Sequence, residues 1–142
     1  MNKMMIFIKS LLISSVLLSV ISYAEIAVIV SSNNYNDSLD KDNISRVFLG
    51  KTKKFPDGGQ AVPVDQKAGS SARESFNTNV LGKSSSQLKA YWSRLIFTGK
   101  GTPPKESGDD LAVKKLVAEN PNLIGYVNSE TVDGSVKVVY KF

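Results

Sequence analysis

The sequence predicts a small α/β domain, a mixed sheet flanked by helices. Three observations predict it. Short β-branched runs alternate with segments whose apolar residues recur at helical spacing. Ser, Asp and Gly stand at the ends of those helical segments, where caps and stops belong. The run from Ile26 to Val30 is apolar at every position, as in a strand covered on both faces.

Taken in order, Ile26 to Val30 is the first strand, and Ser31 to Asp37 is a polar loop. Leu39 to Leu49 places Ile44, Val47 and Phe48 at helical spacing, with Asp40 as cap and Gly50 as stop. Pro56, Asp57, Gly58 and Gly59 make a turn. Ala61 to Asp65 is a second strand, and Pro63 assigns it to an edge or a strand end. A helix starts near Ser70 or Ser71, runs through Phe76 and Val80 and stops at Gly82. Ser84 to Ser86 caps the next, whose Leu88, Tyr91, Trp92, Leu95 and Ile96 form one apolar face. That spacing assigns Tyr91, Trp92 and Phe97 to the core. Thr98 to Gly108 is a loop. Asp109 or Asp110 opens a helix that closes at Asn120-Pro121. Ile124 to Val127 is a strand, Asp133-Gly134 a turn and Val136 to Tyr140 the last strand.

The first 24 residues read as an export signal. Lys3 and Lys9 give a positive start, Leu11 to Val20 is apolar apart from serines, and Ser22 and Ala24 are small residues at the −3 and −1 positions. No Cys follows, which argues against a lipoprotein anchor. The expected organisation is a signal segment over 1–24 and one domain over 25–142, located in the periplasm. The domain has 118 residues, 16 basic and 13 acidic, and a charge of +3. That balance does not suggest nucleic acid as a partner, and Lys51, Lys53 and Lys54 read as a solvated basic cluster. There is no His and no Cys. Thiol nucleophiles, disulfides, imidazole or thiolate metal sites and a His base are excluded. No paired-carboxylate motif stands in for them, so no enzymatic activity, metal or cofactor is expected.

Four stretches, each present once, stand in an order that carries information. The first is Val47-Phe48-Leu49-Gly50-Lys51 followed by Phe55-Pro56-Asp57-Gly58. The second is Val62-Pro63-Val64 leading into Gly69-Ser70-Ser71-Ala72-Arg73-Glu74-Ser75-Phe76. The third is Tyr91-Trp92 with Phe97-Thr98-Gly99 and Pro103-Pro104. The fourth is Asn120-Pro121-Asn122-Leu123-Ile124-Gly125-Tyr126-Val127. Together they cover nearly all of 25–142. They resemble the phosphate-binding-protein branch of the type 2 periplasmic substrate-binding proteins, with its IF-x-GK, GSGT-R-x-x-F and PGAIGY elements. The resemblance implies one lobe of a two-lobed receptor fold, phosphate or a related oxyanion as ligand, and a link to phosphate ABC transport. Two departures accompany it. The chain has the length of one lobe. The Arg that family members often carry before the glycine-serine loop is absent from Asp65-Gln66-Lys67-Ala68, and the loop itself reads Gly69-Ser70-Ser71-Ala72.

The loop also has a physical argument of its own. A helix start offers unpaired N–H groups and a partial positive charge. Gly69 lets backbone approach a tetrahedral ion, Ser70 and Ser71 add hydroxyls, and Arg73 can hold an oxyanion with two hydrogen bonds. A carboxylate at Asp65 would accept from protonated phosphate and repel sulfate. The Ser31-Ser32-Asn33-Asn34 loop after the first strand is expected to face the same crevice, since ligands in open α/β sheets bind at the carboxyl ends of strands. The same residues also satisfy a simpler description: a serine-capped helix, Arg73 paired with Glu74 or solvent, a strand-end acid and a plain turn. Two functions therefore stand at this level. One is an exported solute-binding-type domain for phosphate or a related oxyanion. The other is a ligand-free periplasmic interaction module, associating with itself or with a periplasmic or membrane protein.

Overall fold

The fold is that of a computed structural model, which describes residues 24–142 and the isolated positions 17 and 19. The expected signal segment therefore lies almost wholly outside the described residues. Among those residues, no helix is long and apolar enough to cross a membrane.

Along the chain come β1 (Ile26–Ser31), α1 (Lys41–Phe48), β2 (Val62–Asp65), α2 (Ser71–Phe76) and a π-helical turn (Asn77–Leu81). There follow α3 (Ser85–Phe97), β3 (Lys105–Glu106), α4 (Asp110–Glu119), β4 (Leu123–Asn128), a 3-10 turn (Ser129–Thr131) and β5 (Val136–Lys141). The strands form one sheet in the order β3-β2-β4-β1-β5. β2 is parallel to β3 and β4, whereas β1 is antiparallel to both β4 and β5. The sheet is mixed, as the sequence predicts.

All six residues of β1 are buried. Their side chains alternate between two cores. Ile26, Val28 and Val30 join Phe48, Phe76, Ile124 and Tyr126 on the α1/α2 face. Ala27 and Ile29 join Val64, Val113, Val117 and Val127 under α4. Each fully buried Val or Ile contributes about 1.5–3 kcal/mol, so this strand anchors both layers.

The helix starts follow their caps. The Asp40 carboxylate accepts from the Asn43 N–H, Ser70 Oγ from Arg73, Ser84 Oγ from Gln87 and Asp109 from Ala112. Gly50 and Gly82, at φ 70° and 63°, end α1 and the π-helical turn in the left-handed region. β3 reaches only Val64 and Asp65, so the flank of β2 at Pro63 is open. A residue without an N–H costs no ladder bond there.

α3 departs from expectation. Leu88 is its only buried residue; Tyr91 and Trp92 are half-buried, and Phe97 is 92% exposed. The helical spacing correctly gives one face, but the sheet does not cover it. α3 stands beside the end of α1, tied by the Tyr91 hydroxyl donating to the Leu49 carbonyl at 2.7 Å. The core assignment of Phe97 is therefore corrected, and that of Tyr91 and Trp92 holds only in part.

Candidate functional site

The site forms where β2 ends and α2 begins. β2 and β4 run parallel, so the end of β2 lies beside Tyr126 of β4. The sequence then turns through Gln66–Ser70 before α2. Gly69 sits at φ 84° with open space around its α-carbon, so the tip is unobstructed.

Asp65 is buried, and its carboxylate is held on two sides. The Tyr126 hydroxyl donates to Oδ1 in a short hydrogen bond. The Arg73 guanidinium lies 3.5 Å from Oδ2. Arg73 Nη1 also donates to the Gln66 carbonyl at 2.9 Å and to Glu106 Oε1 at 2.5 Å. Gln66 is buried beneath this group. Its side-chain amide donates to Asp110 Oδ1 at 2.6 Å and to the Tyr126 carbonyl at 3.1 Å, and its Oε1 accepts from Ser70 Oγ at 3.0 Å. Gln66 N–H donates to the Tyr126 hydroxyl at 3.2 Å. Among the described residues, every buried side-chain polar atom has a partner.

The electrostatics follow from burial and these partners. Burial pushes the Asp65 carboxyl above its ordinary value, against the opposing pull of Tyr126 and Arg73. Burial works against the Arg73 charge, but Asp65 and Glu106 outweigh it and hold the guanidinium above its usual range. Burial, then the adjacent Asp65 charge, pushes the Tyr126 hydroxyl far above its ordinary value, so it stays a donor.

Asp65, Gly69 and Arg73 line one cleft of about 380 Å³. Its opposite wall is apolar: Leu88, Trp92 and Ile96 of α3, with Pro103 and Pro104. The other residues expected at the site fall elsewhere. The Ser70 hydroxyl is used twice, capping α2 and donating to Gln66. Ser71 is exposed and faces a separate hollow beside Ile26 and Phe142. Ser31 and Ser32 are corrected as members of this crevice. β1 runs antiparallel to β4, so its C-terminal end lies at the other end of the sheet. There Ser31 Oγ donates to the Ala118 carbonyl at 3.3 Å, near the end of α4, whereas Gln66 meets the start of α4 at Asp110. The two positions are about 12 Å apart along that helix. Ser32 is exposed at the Ser31 end.

Three members of the cluster are not singled out by sequence reasoning as site residues: Gln66, Glu106 and the Tyr126 hydroxyl. Glu106 carries no local signal, because a two-residue strand has no periodicity. Tyr126 carried a weak one, a phenol on a strand read as buried, which needs a partner.

No protein-family model matches the chain. Three solved structures share its fold. A phosphate ABC transporter substrate-binding protein from Clostridium perfringens, solved with bound phosphate, matches at TM-score 0.65 and 26% identity over 82% of this chain. An ABC-type phosphate transport receptor from Vibrio cholerae matches at 0.63 and 20% over 82%. PstS from Borrelia burgdorferi matches at 0.58 and 11% over 82%. The chain spans under half of each of these proteins, 45%, 46% and 47% of their lengths. With a mixed five-stranded sheet and four α-helices among its described residues, the chain has the fold of one lobe of these phosphate-transport binding proteins.

Proposed function

We propose that the chain is an exported, periplasmic, non-enzymatic solute-binding-type lobe that recognises phosphate or a related oxyanion at the 69–73 loop, in connection with phosphate ABC transport. The observation that carries this reading is the convergence of the open Gly69 tip, the Arg73 guanidinium and Asp65 on one cleft. The phosphate-bound Clostridium perfringens structure supports the choice of anion. Recognition is weak in the isolated lobe. Arg73 must loosen its hold on Glu106 and Asp65 to turn toward an ion, and one lobe leaves that ion partly in water. The expected dissociation constant lies between about 10 µM and about 10 mM. Calorimetry with phosphate and sulfate tests this beside Arg73→Ala. Saturable phosphate binding that the substitution removes supports the proposal. No heat at about 10 mM phosphate, or equal binding by the variant, overturns it.

A second reading is a ligand-free interaction module, associating with itself or with a periplasmic or membrane protein. It is favoured by one observation: two carboxylates and a carbonyl already occupy Arg73. Self-association without phosphate binding, measured by analytical ultracentrifugation, is its signature.

A further inference from the structure

Charge is unevenly distributed along this chain, and the fold brings two cation-rich stretches next to each other. From Asn43 to Pro56 the basic residues are Arg46, Lys51, Lys53 and Lys54, with no acid. From Ser75 to Lys105 they are Lys83, Lys89, Arg94, Lys100 and Lys105, again with no acid. The Tyr91–Leu49 hydrogen bond joins the two stretches, and a Cβ at Gly50 would come within 3.2 Å of the Trp92 ring. Lys53 and Lys105 share a groove with Trp92 on one side of it, while Lys89 and Ile96 line the cleft on the other. Among the described residues none of these nine cations is in an ion pair. The ion pairs present use Arg73, Lys114, Lys137 and Lys141.

The same side carries the most exposed large apolar residues of α3. Ile96 is 54% exposed and Phe97 92%, at the end of a helix that the sheet leaves uncovered. Lys100 follows directly after the turn. Unpaired cations draw a surface toward negative charge, and an aromatic tip on a protruding helix end needs an apolar medium to enter. An anionic bilayer offers both within one interface: phosphate headgroups for the lysines and acyl chains for Ile96 and Phe97. An acidic protein patch would match the charge, but not an aromatic side chain standing free on a convex end.

We propose that α3 and the adjoining 46–54 stretch form a docking surface for an anionic phospholipid membrane, with Ile96 and Phe97 inserted and the neighbouring cations over the headgroups. This surface borders the Asp65–Arg73 cleft, whose wall Lys89, Trp92 and Ile96 also line, but its argument does not rest on oxyanion recognition. Trp92 is the only tryptophan in the chain and sits in the middle of the surface, which makes it a local reporter.

The chain from Glu25 onward contains every strand and helix described, and it is mixed with phosphatidylglycerol or phosphatidylcholine vesicles. Expected are binding to phosphatidylglycerol only, quenching of Trp92 by brominated lipid, and at least a tenfold loss of binding between about 50 mM and about 500 mM salt. Ile96→Ser with Phe97→Ser, both exposed and safe for the fold, lowers binding at least tenfold, as does Lys89→Glu with Arg94→Glu. Equal binding to both lipids, or binding that neither pair of substitutions weakens, overturns the proposal. Capture of polyglutamate without any vesicle binding also overturns it, in favour of an acidic protein partner.

Discussion

The Tyr126 hydroxyl donates to the buried Asp65 carboxylate across the β2–β4 pair, and the same oxygen accepts from Gln66 N–H. One phenol thus serves both Asp65 Oδ1, on the side away from Arg73, and a buried backbone amide. Its ring is fixed by the opposite face, stacked on Phe76 at 4.1 Å between centroids and 7° between planes. Tyr126→Phe keeps the ring and removes both bonds. It should destabilise the fold by about 1–3 kcal/mol, the range for leaving buried polar groups unsatisfied. Urea unfolding followed by circular dichroism measures this; a change below about 0.5 kcal/mol would show that the bond carries no stability.

Asp65 should make stability fall with rising pH over part of the acidic range. Burial raises its folded pKa above the ordinary 3.8. Between the unfolded and folded values, the folded chain holds the proton and the unfolded chain has lost it. Stability then decreases as pH rises through that window, the reverse of a carboxylate depressed by a salt bridge. Asp65→Asn cannot ionise and lacks this decline. The Tm of the variant minus that of the wild type should therefore grow as pH rises above about 4 and level off once the folded-state carboxyl has ionised. A difference that shrinks with rising pH would mean that Arg73 and Tyr126 outweigh burial.

Much of the architecture is legible because its signals are local. Asp40, Ser70, Ser84 and Asp109 cap helices through contacts three residues away, which a sequence displays directly. The continuous run Ile26–Val30 announces a two-sided strand. What is hidden depends on direction and distance. Nothing near Ser31 says that β1 runs antiparallel to β4, and that reversal carries Ser31 and Ser32 away from Asp65. Arg73 reads as open to an oxyanion, to Glu74 or to solvent because Glu106, which it meets, lies 33 residues on, in a strand defined only by its pairing with β2. The apolar spacing of α3 is likewise visible, but not whether anything covers it.

Glu106 competes with any anion for Arg73. Its carboxylate is half-exposed, so the pair contributes at most about 1 kcal/mol. Glu106→Gln should therefore tighten phosphate binding by up to about fivefold and leave the fold intact. Titration calorimetry beside the wild type checks this. Unchanged or weaker affinity would mean that Arg73 does not need to leave Glu106 to meet an anion, or does not meet one.

Gly125 is required by packing rather than by backbone conformation. It lies on β4 opposite Ile29, directly beneath α4. A Cβ there would stand 2.7 Å from Val113 Cγ1, 3.1 Å from Val64 Cγ2 and 3.2 Å from Val117 Cγ2. All three are buried valines with one strongly preferred rotamer in a helix or a restricted one in a strand, so none yields easily. Gly125→Ala should lift α4 from the sheet and cost about 1–3 kcal/mol by overpacking. The displacement has a local signature. Asp110, at the start of α4, accepts from both Gln66 and Asn128, so moving the helix loosens the floor of the Asp65 cluster. Val113→Ala in the same chain removes the closest clash and should recover part of the loss, which distinguishes overpacking from a lost backbone freedom. Denaturant midpoints for the single and double variants measure the coupling, and strictly additive losses would refute the steric account.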